Sequence, residues 1–344
     1  MLRISKLPFL FLTLSISINC FSQTDTIAFK PSGRVIARAF ADYSSGLSSN
    51  TNNASGFDLT RAFLGYNYRI TPTLQAQVII DAAAGHSTSN SLDVYVRNAF
   101  LQWADKGFEV NVGEIGMLQF NMQENYWNHR YVLKSFQDFN KMSASVDIGV
   151  TAEYTFSPRF AADITIVNGE GYKKVQKDNS NRYGVGVTAY PVQNFVVRAF
   201  GDLYKESQDM REALPSGIVD ASYKNQYSLS LFLGYKTDNL SSGVEYNRVY
   251  NKGFIEKKDY FGYSVYASLK VAPKWRVYAR YDNMDSSSPA NFTGEWNNLD
   301  GQLMIGGVEY CPMKQLKISP NIRNINSERG ESEQYLFINL EFNL

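Results

Sequence analysis

Proline, cysteine and histidine are all scarce in this 344-residue chain: ten Pro, two Cys and two His. Two cysteines make no disulfide framework. Neither His86 nor His129 has a Ser or Asp at motif spacing, so no nucleophile–base constellation forms. A Gly-rich phosphate loop and a metal-ligand cluster are also missing. The chain is therefore expected not to be an enzyme and to carry no cofactor and no metal. Charge of one sign is lacking too, with 34 basic against 33 acidic residues, which gives no basis for nucleic-acid binding. After the first two dozen residues, no apolar run is long enough for a spanning helix.

Those first residues read as a targeting segment. Arg3 and Lys6 precede an apolar run from Pro8 to Ile18, and Ser22-Gln23 follows. The run is too short to span a bilayer, so residues 1–23 are expected to be a cleaved signal peptide and 24–344 the working domain. Acylation at Cys20 is the competing reading. Ser17-Ile18-Asn19 lacks the small residue such a site needs just before the cysteine. Cleavage near Gln23 would leave 32 basic and 33 acidic residues, with Cys311 alone.

What the chain does have is Tyr, Phe and Gly, suited to pleated, twisted sheet, and a period of two. In the stretch 335–344, Leu336, Ile338, Leu340, Phe342 and Leu344 share one face, and Asn339, Glu341 and Asn343 share the other. The stretch 146–156 repeats the pattern, with Ile148, Val150 and Tyr154 against Asp147, Thr151 and Glu153. Sixteen such runs follow the signal, near 33–44, 57–70, 73–84, 93–104, 107–119, 145–157, 159–169, 181–191, 194–205, 224–236, 240–251, 259–271, 274–284, 301–311, 315–325 and 333–344. Most are about 11–13 residues, enough for the roughly 9–11 that a tilted strand needs to cross hydrocarbon.

Connections alternate in length. Thr71-Pro-Thr73, Asp105-Lys-Gly107 and Ser157-Pro-Arg159 exemplify the short ones, and 45–56, 120–144 and 206–223 the long ones. Short periplasmic turns and longer outer loops are the asymmetry of an outer-membrane barrel. Aromatics such as Trp103, Phe108, Phe156, Phe160, Tyr190 and Trp275 flank the short turns, as an interfacial girdle would. Hydrocarbon offers no partner to a bare strand edge, so the run 333–344 must pair with 33–44. The expected fold is all-β: a 16-stranded antiparallel transmembrane β-barrel in the bacterial outer membrane, in contact with outer-membrane lipid.

Parity then assigns faces. Arg34, Arg38, Arg61, Arg198, Arg276, Arg280, Lys317 and Arg323 fall on the lumen side and are the candidate pore-lining residues. Arg34, Arg38 and Arg61, with Lys317 and Arg323 near closure, can form a basic stripe favouring anions. They can equally be wall-bracing partners of Asp42, Asp58 and Glu341. Arg97 and Arg248 break parity, which implies a bulge or a position near an interface.

The longest loop, 120–144, is too aromatic to stay solvated. An inward fold of this third loop would bury its rings and narrow the pore. Tyr126, Trp127, Arg130, Tyr131, Lys134 and Lys141 are its candidate constriction residues. Capping of the mouth, or contact with a neighbouring subunit, would bury the rings too.

With these residues placed, the chain resembles the phosphate-selective porin O and P family. The likeness lies in Gly56-Phe-Asp-Leu-Thr-Arg-Ala-Phe-Leu-Gly65, in Val96-Arg-Asn-Ala-Phe-Leu-Gln-Trp103 leading into Val110-Asn-Val-Gly-Glu114, in Asp147-Ile-Gly-Val150 and in Asn168-Gly-Glu-Gly171. It is clear over roughly 30–205 and continues beyond only as strand rhythm. The resemblance implies a homotrimeric channel with the third loop folded inward and a ladder of lumen arginines, here carried over only to Arg34, Arg38 and Arg61. The expected function is passive diffusion of small hydrophilic solutes, with a mild preference for anions such as phosphate. The alternative is a plugged barrel serving as structural partner in an outer-membrane secretion or uptake complex.

Overall fold

The computed structural model describes residues 29–51, 55–84, 92–174, 179–207, 222–289, 299–328 and 330–344. The expected signal segment with Cys20, and also His86, lie outside these residues. The unit Pro31–Leu344 carries sixteen strands. The first eight are β1 (Ser32–Gly46), β2 (Ser55–Arg69), β3 (Leu74–Ala84), β4 (Leu92–Asp105), β5 (Phe108–Gly116), β6 (Val146–Ser157), β7 (Phe160–Val167) and β8 (Arg182–Ala189). The rest are β9 (Phe195–Tyr204), β10 (Gln226–Lys236), β11 (Leu240–Tyr250), β12 (Asp259–Ala272), β13 (Trp275–Ser287), β14 (Gly301–Met313), β15 (Leu316–Ser327) and β16 (Ser332–Asn343).

Each strand pairs antiparallel with its chain neighbours, and β1 closes on β16. The closing register sets Asp42 beside Asn339 and Phe40 beside Glu341. Closure leaves no edge, which a sheet in lipid requires.

Alternation places apolar side chains outward on every strand. Val78, Val94, Leu101, Ile148, Ile164, Val185, Val265 and Ile322 are all exposed on the outer wall. Trp103, Phe108, Phe156, Phe160, Tyr190, Tyr235 and Trp275 ring the short-turn end, also exposed. Adjacent rings touch, with Phe108 4.2 Å from Tyr154 and Trp275 4.5 Å from Tyr310. An apolar outer band edged by aromatics is a surface made for hydrocarbon, and the barrel is an outer-membrane barrel.

The two residues that broke parity have separate explanations. At Arg97 the β3–β4 register slips, with Ile79 opposite Asn98 but Ile80 opposite Val96. This bulge turns both Arg97 and Asn98 inward. Arg248 points outward, but near the long-loop end. There it pairs with Asp259 at 3.3 Å and lies over Tyr250 and Phe261, an interfacial setting for a charge. The fifth strand is shorter than its sequence run. It ends at Gly116 instead of 119, because Leu118–Trp127 coils into a helix, α1.

Candidate functional site

The segment from Met117 to Ser145 folds into the barrel. It contains α1, a turn, and a one-turn helix α2 (Phe136–Phe139). Asn128 ends α1 in the left-handed region, and its N–H bonds Glu124 O, a usual helix stop. The Trp127 indole donates to Leu133 O at 2.7 Å and folds the loop back on itself.

The rings are buried as their number demanded. Trp127 meets Tyr266 and Tyr278, Tyr126 meets Phe232, and Tyr131 packs near Phe40. Phe136 is wholly enclosed with Met142, Val249 and Met284. Each such side chain contributes roughly 1.5–3 kcal/mol over its exposed state.

The polar lumen residues of one wall also grip this loop. Arg280 makes a two-pronged pair with Asp282 (2.8 and 2.6 Å) and donates to Lys134 O at 2.6 Å. Arg323 donates to Val132 O at 2.8 Å and to Asn321 and Asn339. Arg198 grips Asp163 (2.6 and 3.0 Å) and donates to the Gln119 side-chain oxygen Oε1 at 2.9 Å. Tyr131 donates to Glu309 at 2.8 Å, and Tyr266 to Gln123 O at 3.2 Å. Burial pushes the Tyr131 phenol up, so it keeps the proton it donates. At the loop's far end, Lys252 donates to Lys141 O (2.6 Å) and Met142 O (3.2 Å), and Arg182 bonds Ser143. The loop is thus welded to β8–β15.

His129 sits at the apex with no exposure. Its Nδ1 faces Trp127 O at 2.8 Å, its ring lies 4.2 Å from Tyr278, and Nε2 is 3.5 Å from Glu309. Burial holds this imidazole below the ordinary value of 6.5, with Lys317 and Arg276 adding to the effect. Glu309 and the Trp127 carbonyl oppose it.

The opposite wall, β2–β7, meets the loop across charges. Arg61 pairs with Asp81 at 3.2 Å and donates to the Tyr172 hydroxyl at 2.8 Å, which donates in turn to Asp81 at 2.9 Å. Across from them, Arg130 is held by Glu124 and by Asp138 at 3.1 Å. Burial alone would raise Asp138. The charges of Arg130, Lys134, Arg61 and Arg97 outweigh it and hold this carboxyl below its ordinary range. Toward the short-turn end the same wall keeps an open recess of about 220 Å³ between β3–β7 and the start of α1.

Arg38 and Lys317 share Glu341 at 2.5 and 3.0 Å. Arg276 donates to Asp238 O and Asn239 O at the short-turn rim, and Arg34 is exposed near the start of β1. Lys134 is half-exposed, 3.8 Å from Asp138, and Lys141 is exposed. The stripe is therefore largely neutralised. Of the wall partners expected, Glu341 takes that place, while Asp81, Asp163 and Asp282 brace Arg61, Arg198 and Arg280. The loop-gripping role of Arg280 and Arg323 escaped sequence reasoning because a backbone carbonyl carries no residue signature. Among the described residues, no group of His, Cys, Asp or Glu is placed to hold a metal ion.

No protein-family model and no curated protein sequence matches the chain. Solved structures do. OmpF of Salmonella typhi, in complex with daunomycin, aligns over 91% of this chain and 97% of its own, at 12% identity and a TM-score of 0.69. OprB of Pseudomonas putida aligns over 91% and 94%, at 8% identity and 0.65. A trimeric form of OmpT of Vibrio cholerae aligns over 91% and 99%, at 15% identity and 0.57. The chain has the fold of the outer-membrane porins. At these identities the likeness is one of fold.

Proposed function

We propose that this barrel is a porin: a passive outer-membrane channel for small hydrophilic solutes, not an enzyme, working as a homotrimer. The observation that carries the reading is the position of the third loop. Its hydrogen bonds run mainly to β8–β15, its rings also pack on Phe40, Phe63 and Ile79, and a polar recess remains between β3–β7 and the start of α1, so the lumen is narrowed. The fold shared with OmpF and OprB supports the channel reading, and the trimeric Vibrio cholerae OmpT supports the assembly.

The anion preference rests on the outer chamber. There Arg61, Arg97, Arg130, Lys134 and Lys173 gather around Asp81, Asp138 and Glu124. Their excess is small, so a mild preference is proposed and no phosphate-specific site. In planar bilayers under a salt gradient, the purified protein should give ohmic steps and a small reversal potential of the sign for anions. Cation preference would overturn the selectivity. Folded protein without conductance would overturn the channel and favour the second reading, a plugged barrel in an envelope complex, which the depth of burial of Trp127 and Phe136 motivates.

A further inference from the structure

The recess beside α1 is walled by inward side chains of β3–β7. Phe100, Gly113 and Gly149 are direct neighbours across β4, β5 and β6. The strands approach one another closely at the two glycines. Both must stay glycine: an added Cβ would lie 2.2 Å from Ala99 O at Gly113 and 2.1 Å from Ile166 O at Gly149. The first turn of α1 roofs the hollow through Leu118 and Asn121.

Its chemistry is mostly uncharged. One step toward the short turns, Gln102, Asn111 and Thr151 form a row in register. Gln102 accepts a hydrogen bond from Gln75 through its oxygen, which leaves its NH2 to face the cavity. The Asn111 NH2 donates to Glu109 (3.1 Å) and Thr151 (3.4 Å), which leaves its carbonyl oxygen as an acceptor. Donors and acceptors thus alternate along the row. The far side is apolar, formed by Ile79, Phe100 and Ile115.

The charged groups argue against an ionic guest. Asp163 is already taken by Arg198, and Arg97 is turned to Asn98 and the Phe63 ring. Glu109 and Glu153 stand side by side at the lower lip, where they repel an anion. A bare cation would meet amide NH2 groups and hydrocarbon over most of the cavity. A guest with alternating hydroxyl donors and acceptors, and one apolar CH face, matches every surface. The volume is below that of sites for drug-sized ligands and suits a single ring.

We propose that this recess is a binding subsite for a neutral polyhydroxylated solute, a sugar ring, on the periplasmic side of the constriction. The proposal rests on the channel reading above. The test is ion current through the protein in a planar bilayer as D-glucose is added. Glucose should reduce the current saturably, and Gln102→Leu should raise the half-blocking concentration about fivefold, the worth of one neutral hydrogen bond. In the unaltered protein, a polyethylene glycol of equal size should not saturate, which decides the matter even if the variant fails to insert. Current that falls only with bulk viscosity, equal block by the glycol, or saturable block by inorganic phosphate but not glucose would each overturn the subsite. No ionic current at all would instead overturn the channel reading.

Discussion

The two halves of the barrel wall differ in what their inward side chains face. On β8–β15, arginines and tyrosines face inward and hold backbone carbonyls of the third loop, as Arg280 holds Lys134 O and Tyr266 holds Gln123 O. On β2–β7, amides and paired charges face inward and border open space. A lumen arginine is therefore not by itself a sign of ion selectivity. What decides its role is whether a carbonyl or a solute stands in front of it.

The largest expected effect comes from cutting the weld. Arg280→Ala leaves Asp282 buried without its partner and releases Lys134 O. Loss of one member of a buried pair costs about 3–5 kcal/mol. Single-channel conductance should rise as the loop comes free, and the heat-unfolding midpoint should drop. Unchanged conductance would show that the arginine braces the wall alone.

Tyr131→Phe should cost less, about 1.5–3 kcal/mol for a hydrogen bond to a charged group. It should increase open-channel noise without changing β-sheet content by circular dichroism. A quiet channel would place the loop's hold elsewhere.

Acidification should act in the same direction through His129. Its docked value is depressed, so docking is fully stabilised above the ordinary 6.5 and loses stability as pH falls below it. Gating events should become more frequent as pH is lowered to about 5, and His129→Gln should flatten that response. Equal pH dependence in both proteins would remove the imidazole from the account. Asp138, held below its ordinary range, adds a second loss of docking at still lower pH.

The smallest effect is expected of Lys134→Ala. Its pairing with Asp138 is half-exposed, worth about 0–1 kcal/mol, so reversal potential should shift slightly toward cations with stability unchanged.

Much of this was legible in the sequence. Period-two alternation set the strands, and connection length set the two ends. The aromatic content of 120–144 required burial. Arg38 with Glu341 was foreseeable because both lie on the strands that must close the barrel. Arg61 with Asp81 was not, because a cross-strand pair needs a register that alternation alone does not supply. The Arg97 bulge showed only as a failure of parity. The recess was invisible, since it depends on α1 roofing side chains from five strands.

A third loop held by hydrogen bonds to β8–β15, with solute passage along the recess of β3–β7, is best tested by thiol accessibility during conduction. In a background with Cys20 and Cys311 both replaced by Ser, single cysteines would replace Gln102 beside the recess and Ser264, fully buried on β12, on the wall that holds the loop. A charged methanethiosulfonate reagent should react with the first and lower its conductance while leaving the second untouched. Fast reaction at position 264, or none at 102, would contradict the account.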